Sequence, residues 1–276
     1  MNLNYIALRL VRHYLPESVA RLLLKRRWLI RPGLESSDPV AAAKRYFEAL
    51  SEIGKSVKGK RILVFGYGGR FAVGVELLRY GAAHVVLCDH FVLLDRERNL
   101  ELLPQYEEYL AVDGNDIQPR PQFITLLHGD IRESSIQNQI QPVDLVLSMS
   151  VYEHLDDVEG ITRSLAALIK HDGLHIHFID LRDHYFKYPF EMLTFSERVW
   201  KSFLNPTSNL NRLRLPDYQR IFNESFQKVN VLVLDRCEKE FGAVHKRIRP
   251  EFLTGDSSVD SVALIRVIAQ HPFLPR

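Results

Sequence analysis

Cysteine is almost missing from this 276-residue chain: only Cys88 and Cys237 occur. Two such distant residues make no disulfide framework, and no C-x-x-C pair is present to hold zinc. This usage predicts a reducing, cytoplasmic setting. No run of about 18 uncharged apolar residues occurs, so no membrane-spanning helix is expected, and arginines interrupt the first 31 residues where a signal peptide needs an unbroken apolar stretch. Internal repeats and low-complexity stretches are lacking too. Charge of one sign is in short excess, with a net +2 from 36 basic and 34 acidic residues. That balance excludes a surface that coats nucleic acid, and no nucleic-acid partner is expected.

The basic excess is local. Residues 1–33 hold Arg9, Arg12, Arg21, Lys25, Arg26, Arg27 and Arg31 against Glu17 alone, and the remainder is net negative. Leu3, Ile6, Leu10, Val11 and Tyr14 repeat at helical spacing up to Pro16, and Val19, Leu22, Leu23 and Leu24 continue in a second segment. Two basic amphipathic helices are expected, suited either to packing on the rest of the protein or a partner, or to peripheral contact with the inner face of an anionic membrane. Pro32-Gly33 breaks that pattern, and Asp38-Pro39 opens a helix over Val40–Leu50 with Asp38 as its cap.

With 46% hydrophobic and 25% charged residues, the chain has globular proportions, and its length suits one α/β core with some decoration. From Lys60 short apolar runs alternate with helical patterns: Arg61–Gly66, Val73–Arg79, His84–Cys88, Phe123–Leu127, Val143–Met149, Val158–Ile169 and Leu174–Ile179. This is the rhythm of a parallel sheet covered on both faces. After Asp183 the chain turns aromatic and loop-rich, and two late strands follow near Val229–Leu234 and Val259–Ala269.

Chemistry-bearing residues fall at the strand ends. The run Ile62–Phe65 enters Gly66-Tyr67-Gly68-Gly69 and then a helix, a turn in which glycine lets the backbone approach a ligand and free amides attract an anion. Asp89, followed by His90, closes the second strand, where a carboxylate can accept hydrogen bonds from ribose hydroxyls. Asp130 and Ile131 follow the third strand, placed for an adenine. The fourth strand delivers Ser148, Met149, Ser150, Glu153 and His154 to the same edge. A nicotinamide-dinucleotide oxidoreductase would share the glycine turn and the acid, but its G-x-G-x-x-G needs glycine where Phe71 stands.

From Lys60 to about Asp183 the chain resembles the class I S-adenosylmethionine-dependent methyltransferases. The resemblance rests on the glycine-rich turn, the acidic end of strand two, Gly129-Asp130 after strand three and Val151-Tyr152-Glu153-His154-Leu155 after strand four. It implies a Rossmann-like, seven-stranded, mostly parallel sheet with helices on both faces and an antiparallel C-terminal strand pair. A helical basic extension over residues 1–57 would precede a methyltransferase domain over 58–276, with a cap inserted at about 184–225. It further implies S-adenosyl-L-methionine as cofactor, its methionine part on Gly66, Tyr67, Gly68 and Gly69, its ribose at Asp89 and His90, its adenine at Asp130 and Ile131, with Ser148 and Met149 alongside. Two features depart from the family: Val64 stands where an acid usually precedes the first glycine, and Arg70 occupies the place of the third glycine. These departures keep open a non-catalytic cofactor-binding or scaffold protein. Phe178–His184 and Asn209–Leu215 are similar to methyltransferases of bacterial surface-glycan pathways, which implies a sugar or glycan-linked hydroxyl, or another small molecule, as acceptor.

Methyl transfer from a sulfonium is an in-line displacement that mainly needs alignment. A hydroxyl acceptor also needs a base, and His154, Asp183 and His184, with Asp180, are expected at the right edge. Arg182, Arg212 and Arg214 are candidate clamps for an anionic substrate. His175 and His177 share a face of strand five and could reach a metal with Asp180, but no third ligand has a recognisable spacing, so buried strand histidines are the expectation and no metal is assigned. Tyr185, Phe186, Tyr188, Phe190, Phe195 and Trp200 either line an acceptor pocket or pack a lid.

Overall fold

A computed structural model describes residues 2–26, 38–114, 116–185 and 187–273. Period-two alternation in β1 (Arg61–Phe65) sends Ile62 and Val64 into one apolar cluster and Leu63 and Phe65 into another, so the strand is buried on both faces. The other strands are β2 (His84–Asp89), β3 (Leu110–Asp113), β4 (Asp116–Pro119), β5 (Ile124–His128), β6 (Val143–Met149), β7 (Ile169–Asp180), β8 (Phe226–Arg236) and β9 (Val262–Pro272). Seven of them form one sheet in the order β5-β2-β1-β6-β7-β9-β8, and β3 pairs with β4 apart from it. Neighbours from β5 through β7 are parallel, while β9 runs antiparallel to both β7 and β8. This is the expected seven-stranded, Rossmann-like sheet with its antiparallel C-terminal pair.

The longer helices are α1 (Leu3–His13), α2 (Glu17–Arg26), α3 (Pro39–Glu52), α4 (Ala72–Arg79), α5 (Val158–Ala167), α6 (Leu215–Ser225) and α7 (Glu238–Val244). Tyr46 and Leu50 of α3 and Val75 and Leu77 of α4 pack on one face of the sheet; Ile161 and Leu165 of α5 and Tyr218 and Phe222 of α6 pack on the other. Asp38 caps α3 as expected, accepting from Ala41 N at 3.0 Å. A third cluster, of Phe190, Met192, Leu193, Trp200, Leu204 and Leu210, is completed by Phe241, Val244 and Ile248. Residues of the expected cap stretch thus share a cluster with the segment before β9, whereas α6, within the expected cap limits, packs on the sheet face.

The hairpin of β3 and β4, turning at Gly114 with φ +59°, and the short helices Arg96–Leu100 and Leu103–Tyr106 were not legible as periodic patterns. Val259 lies in the short helix Ser257–Asp260, and β9 begins only at Val262. No described helix is long and apolar enough to cross a membrane. Arg27, Arg31, the Pro32-Gly33 break and Phe186 lie outside the described residues.

Candidate functional site

A cavity of about 390 Å3 opens at the carboxyl ends of β1, β2, β5 and β6, the edge at which open α/β sheets bind ligands. One wall is the glycine turn. Gly66, Gly68 and Gly69 have φ of +77°, +70° and +74°, a region side chains rarely adopt. A Cβ on Gly69 would stand 2.2 Å from Leu93 O, and one on Gly66 would strike Val151. Asn99, not singled out from the sequence, braces the turn: its Nδ2 donates to Gly69 O at 3.1 Å and its Oδ1 accepts from Phe71 N at 2.9 Å.

Asp89 lines the cavity although it is buried. Its Oδ2 accepts from Gly68 N at 3.0 Å, and its Oδ1 accepts from Phe91 N at 2.9 Å and Val92 N at 2.8 Å. A carboxylate offers about four lone-pair sites, so three amides leave Oδ2 room for about one hydroxyl. Burial raises the pKa of Asp89, against the opposing pull of these amides. His90, Asp130 and Ile131 line the same space. Arg132 donates to Asp130 through its backbone N and Nε, and this pairing lowers the Asp130 pKa.

Four residues expected to hold the cofactor, Tyr67, Gly69, Ser148 and Met149, do not line the cavity. The Tyr67 ring stacks on Phe71 at 6.5 Å inside the core, Met149 is buried in the same cluster, and Ser148 Oγ bonds His177 Nδ1 at 2.7 Å. In β6 the period of two turns these side chains into the layers above and below the sheet. Gly69 contributes through the bend it permits and does not line the cavity itself.

The opposite wall carries the imidazoles. His154 sits in the turn Tyr152–His154 after β6, and its Nδ1 lies 2.8 Å from Asn209 O. The Asn209 side chain donates back to His154 O at 2.9 Å, and Asn209 holds the left-handed φ of 51° that asparagine tolerates better than most residues. The His184 ring meets His154 edge-on at 4.8 Å. Burial lowers the pKa of both, and for His184 neighbouring His154 and arginines add to the effect, so both are neutral at physiological pH. Behind them Glu153, 2% exposed, sets Oε1 3.9 Å from His184 Nε2; no side chain hydrogen-bonds its carboxyl, and burial with neighbouring Asp180 raises its pKa against the pull of the Glu153 and Asp180 backbone amides.

Asp183, a candidate base, is buried outside the cavity. It accepts from Tyr5 Oη and pairs with Arg9, both on α1. Asp180 is paired with Arg182 at 2.8 Å. Arg212 is spent on Met192 O, Phe195 O and Glu197, and Arg214 on Leu181 O, Asp260 O and Val262 O, so neither is a free clamp. Both are buried, and a buried guanidinium needs such partners. His175 and His177 are buried neighbours on β7, with ring nitrogens 3.0 Å apart; burial pushes the His175 pKa down to about 3. The aromatic group packs: Tyr5 contacts Tyr185, Tyr188 and Phe195, Phe190 meets Phe241, and Arg9 lies over Trp200. None of these rings lines the cavity.

Sequence reasoning missed Arg12, Arg98 and Thr207–Asn209, which also line it. Arg12 arrives because α1 is docked: Thr207 Oγ1 donates to Leu15 O at 2.6 Å and His13 Nδ1 lies 2.7 Å from Asn205 O. The only local signal was the helical repeat over Leu3–Tyr14, whose apolar side faces outward while Tyr5 and Arg9 face in.

No family model and no curated protein matches the chain. Solved structures do. Haemonchus contortus phosphoethanolamine N-methyltransferase 2, in complex with phosphomonomethylethanolamine and S-adenosylhomocysteine, aligns over 98% of this chain and 61% of its own with a TM-score of 0.53 and 14% identity. A Nostoc punctiforme protein assigned as an O-methyltransferase aligns over 97% and 66%, with a TM-score of 0.51 and 14% identity. A Galdieria sulphuraria protein assigned as a sarcosine dimethylglycine methyltransferase aligns over 83% and 84%, with a TM-score of 0.50 and 13% identity. The chain therefore shares the fold of S-adenosylmethionine-dependent methyltransferases, and it spans less than two thirds of the first two in length.

Proposed function

We propose that the protein is an S-adenosylmethionine-dependent methyltransferase acting on a small acceptor, with the cofactor's nucleoside along the glycine-turn wall and the acceptor against the imidazole wall. The observation that carries this reading is Asp89. A buried carboxylate at the end of β2, oriented by three amides, with one acceptor site left toward a cavity at the sheet's carboxyl edge, suits a ribose hydroxyl. Asp130 and Ile131 sit where the adenine would lie, and the positive-φ glycines let the backbone close on the methionine part.

In the reaction the bond from sulfur to methyl breaks as the bond from acceptor to methyl forms; the sulfonium becomes a neutral thioether and the acceptor loses a proton. The neutral imidazoles of His154 and His184 are the groups at hand to assist that loss. A sugar or glycan-linked hydroxyl meets the requirement. A dinucleotide oxidoreductase lacks support: its G-x-G-x-x-G needs glycine where Phe71 stands. A non-catalytic cofactor-binding role has no observation of its own in its favour.

We further propose a cytoplasmic protein that touches anionic lipid through α1 and α2. Leu3, Val11 and Tyr14 are 70%, 66% and 66% exposed on one side of α1, Leu22 is exposed on α2, and basic Arg26 lies nearby. Calorimetric titration with S-adenosylhomocysteine and NAD tests the cofactor, with binding of the first alone expected. Labelled S-adenosylmethionine offered to lipid, glycan, small-molecule, protein and RNA pools identifies the acceptor. Sedimentation with phosphatidylserine vesicles tests the membrane contact, which fails if Leu3→Glu with Val11→Glu changes nothing.

A further inference from the structure

We propose that Glu153, His154 and His184 form a binding site for one divalent transition-metal ion at the acceptor end of the cavity. One ligand atom from each, two imidazole nitrogens and a carboxylate oxygen, lies within 4.8 Å of the others, the one such grouping found among the described residues. An ion bound at about 2.0–2.2 Å by each ligand holds its ligands about 3–4 Å apart, so small rotations of the side chains close the site.

Two further observations point to a cation. Glu153 is buried and its carboxylate oxygens meet no side-chain donor, only the backbone amides of Glu153 and Asp180, an arrangement in which a cation would offset the cost of burying the charge. His154 is set as a ligand should be: a carbonyl can only accept, so the Nδ1 facing Asn209 O carries the hydrogen, and Nε2 keeps its lone pair. Metal-binding histidines are commonly oriented by such a carbonyl. Two imidazoles with one carboxylate favour zinc, iron(II) or cobalt(II) over magnesium or calcium, which prefer all-oxygen sets.

His154 and His184 line the cavity while Glu153 lies behind them, so the ion's remaining positions face the space where an acceptor would lie. This part rests on the methyltransferase reading and moves the proton-loss step from the imidazoles, whose lone pairs the ion would take, to the ion itself: an acceptor oxygen on it would shed its proton more readily, and the substrate class narrows to molecules whose methylated oxygen, or a neighbouring one, can ligate a metal.

The test uses the full chain stripped with a chelator. Cobalt(II) titration should give visible ligand-field bands that saturate at one equivalent, and zinc calorimetry should show the same stoichiometry. Glu153→Gln and His184→Ala should each weaken binding by at least about 10-fold, while retaining S-adenosylhomocysteine affinity as evidence that they fold. No saturable one-to-one binding in the unaltered protein, or equal affinity in both variants, would overturn the site. Loss of S-adenosylhomocysteine binding by the unaltered protein would instead strike the methyltransferase reading and leave the ion site standing.

Discussion

The glycine-turn wall of the cavity comes from neighbouring strand ends: Gly66 follows β1, Asp89 closes β2 and Asp130 lies two residues past β5. The imidazole wall gathers Arg12 from α1, His154 from behind β6, His184 from behind β7 and Asn209 from the cap. The first wall is set by turns local to each strand. The second depends on a buried pair, Arg9 with Asp183, separated by 174 positions. On the proposed reading, the cofactor half sits on the sheet and the acceptor half is assembled from segments distant in sequence.

The largest effect should come from breaking that pair. Arg9→Ala leaves the Asp183 carboxylate buried without its cation, an expected cost of about 3–5 kcal/mol in chemical denaturation. Turnover should fall with it, and S-adenosylhomocysteine affinity should change far less; equal loss of both would erase the distinction between the walls. His154→Ala should lower turnover about 100-fold, the scale of a lost acid–base group, with the dissociation constant for S-adenosylhomocysteine nearly unchanged in calorimetry.

Asp89→Asn should weaken S-adenosylhomocysteine binding about 10-fold, the scale of one charge-assisted hydrogen bond. Because burial raises the pKa of Asp89, affinity should decline on acidification from a higher pH than an ordinary aspartate sets. The stability term has the opposite sign: with the folded pKa raised, the contribution of Asp89 is full below its unfolded pKa and is lost as pH rises through the folded one. Mild acid should thus weaken ligand binding while easing this group's cost to the fold. Arg132→Ala, which removes a partly exposed partner of Asp130, should cost less than about 1 kcal/mol in thermal unfolding.

Most of the sheet was legible. Runs such as Val143–Met149 are apolar because both faces are covered, and the expected and observed limits of β6 coincide. The hairpin at 110–119 was not legible, since its short strands carry no sustained alternation. Asp183 looked like a base because it follows a strand at the ligand edge; its actual partners, Tyr5 and Arg9, sit on a helix whose repeat reads only as amphipathic. Arg212 and Arg214 misled for the same reason, since a charge in a string shows neither its burial nor the carbonyls around it.

The order of residues alone determined the alternating layers, the glycine turn and the acid at the end of β2, because each follows from side-chain period and backbone freedom within a few positions. Tertiary structure decided that α1 turns Arg9 inward, that Ser148 and Met149 face the core, and that Glu153, His154 and His184 meet. Those outcomes depend on which distant groups share a desolvated space, where a charge must find its partner or pay several kcal/mol, and no local pattern encodes that pairing.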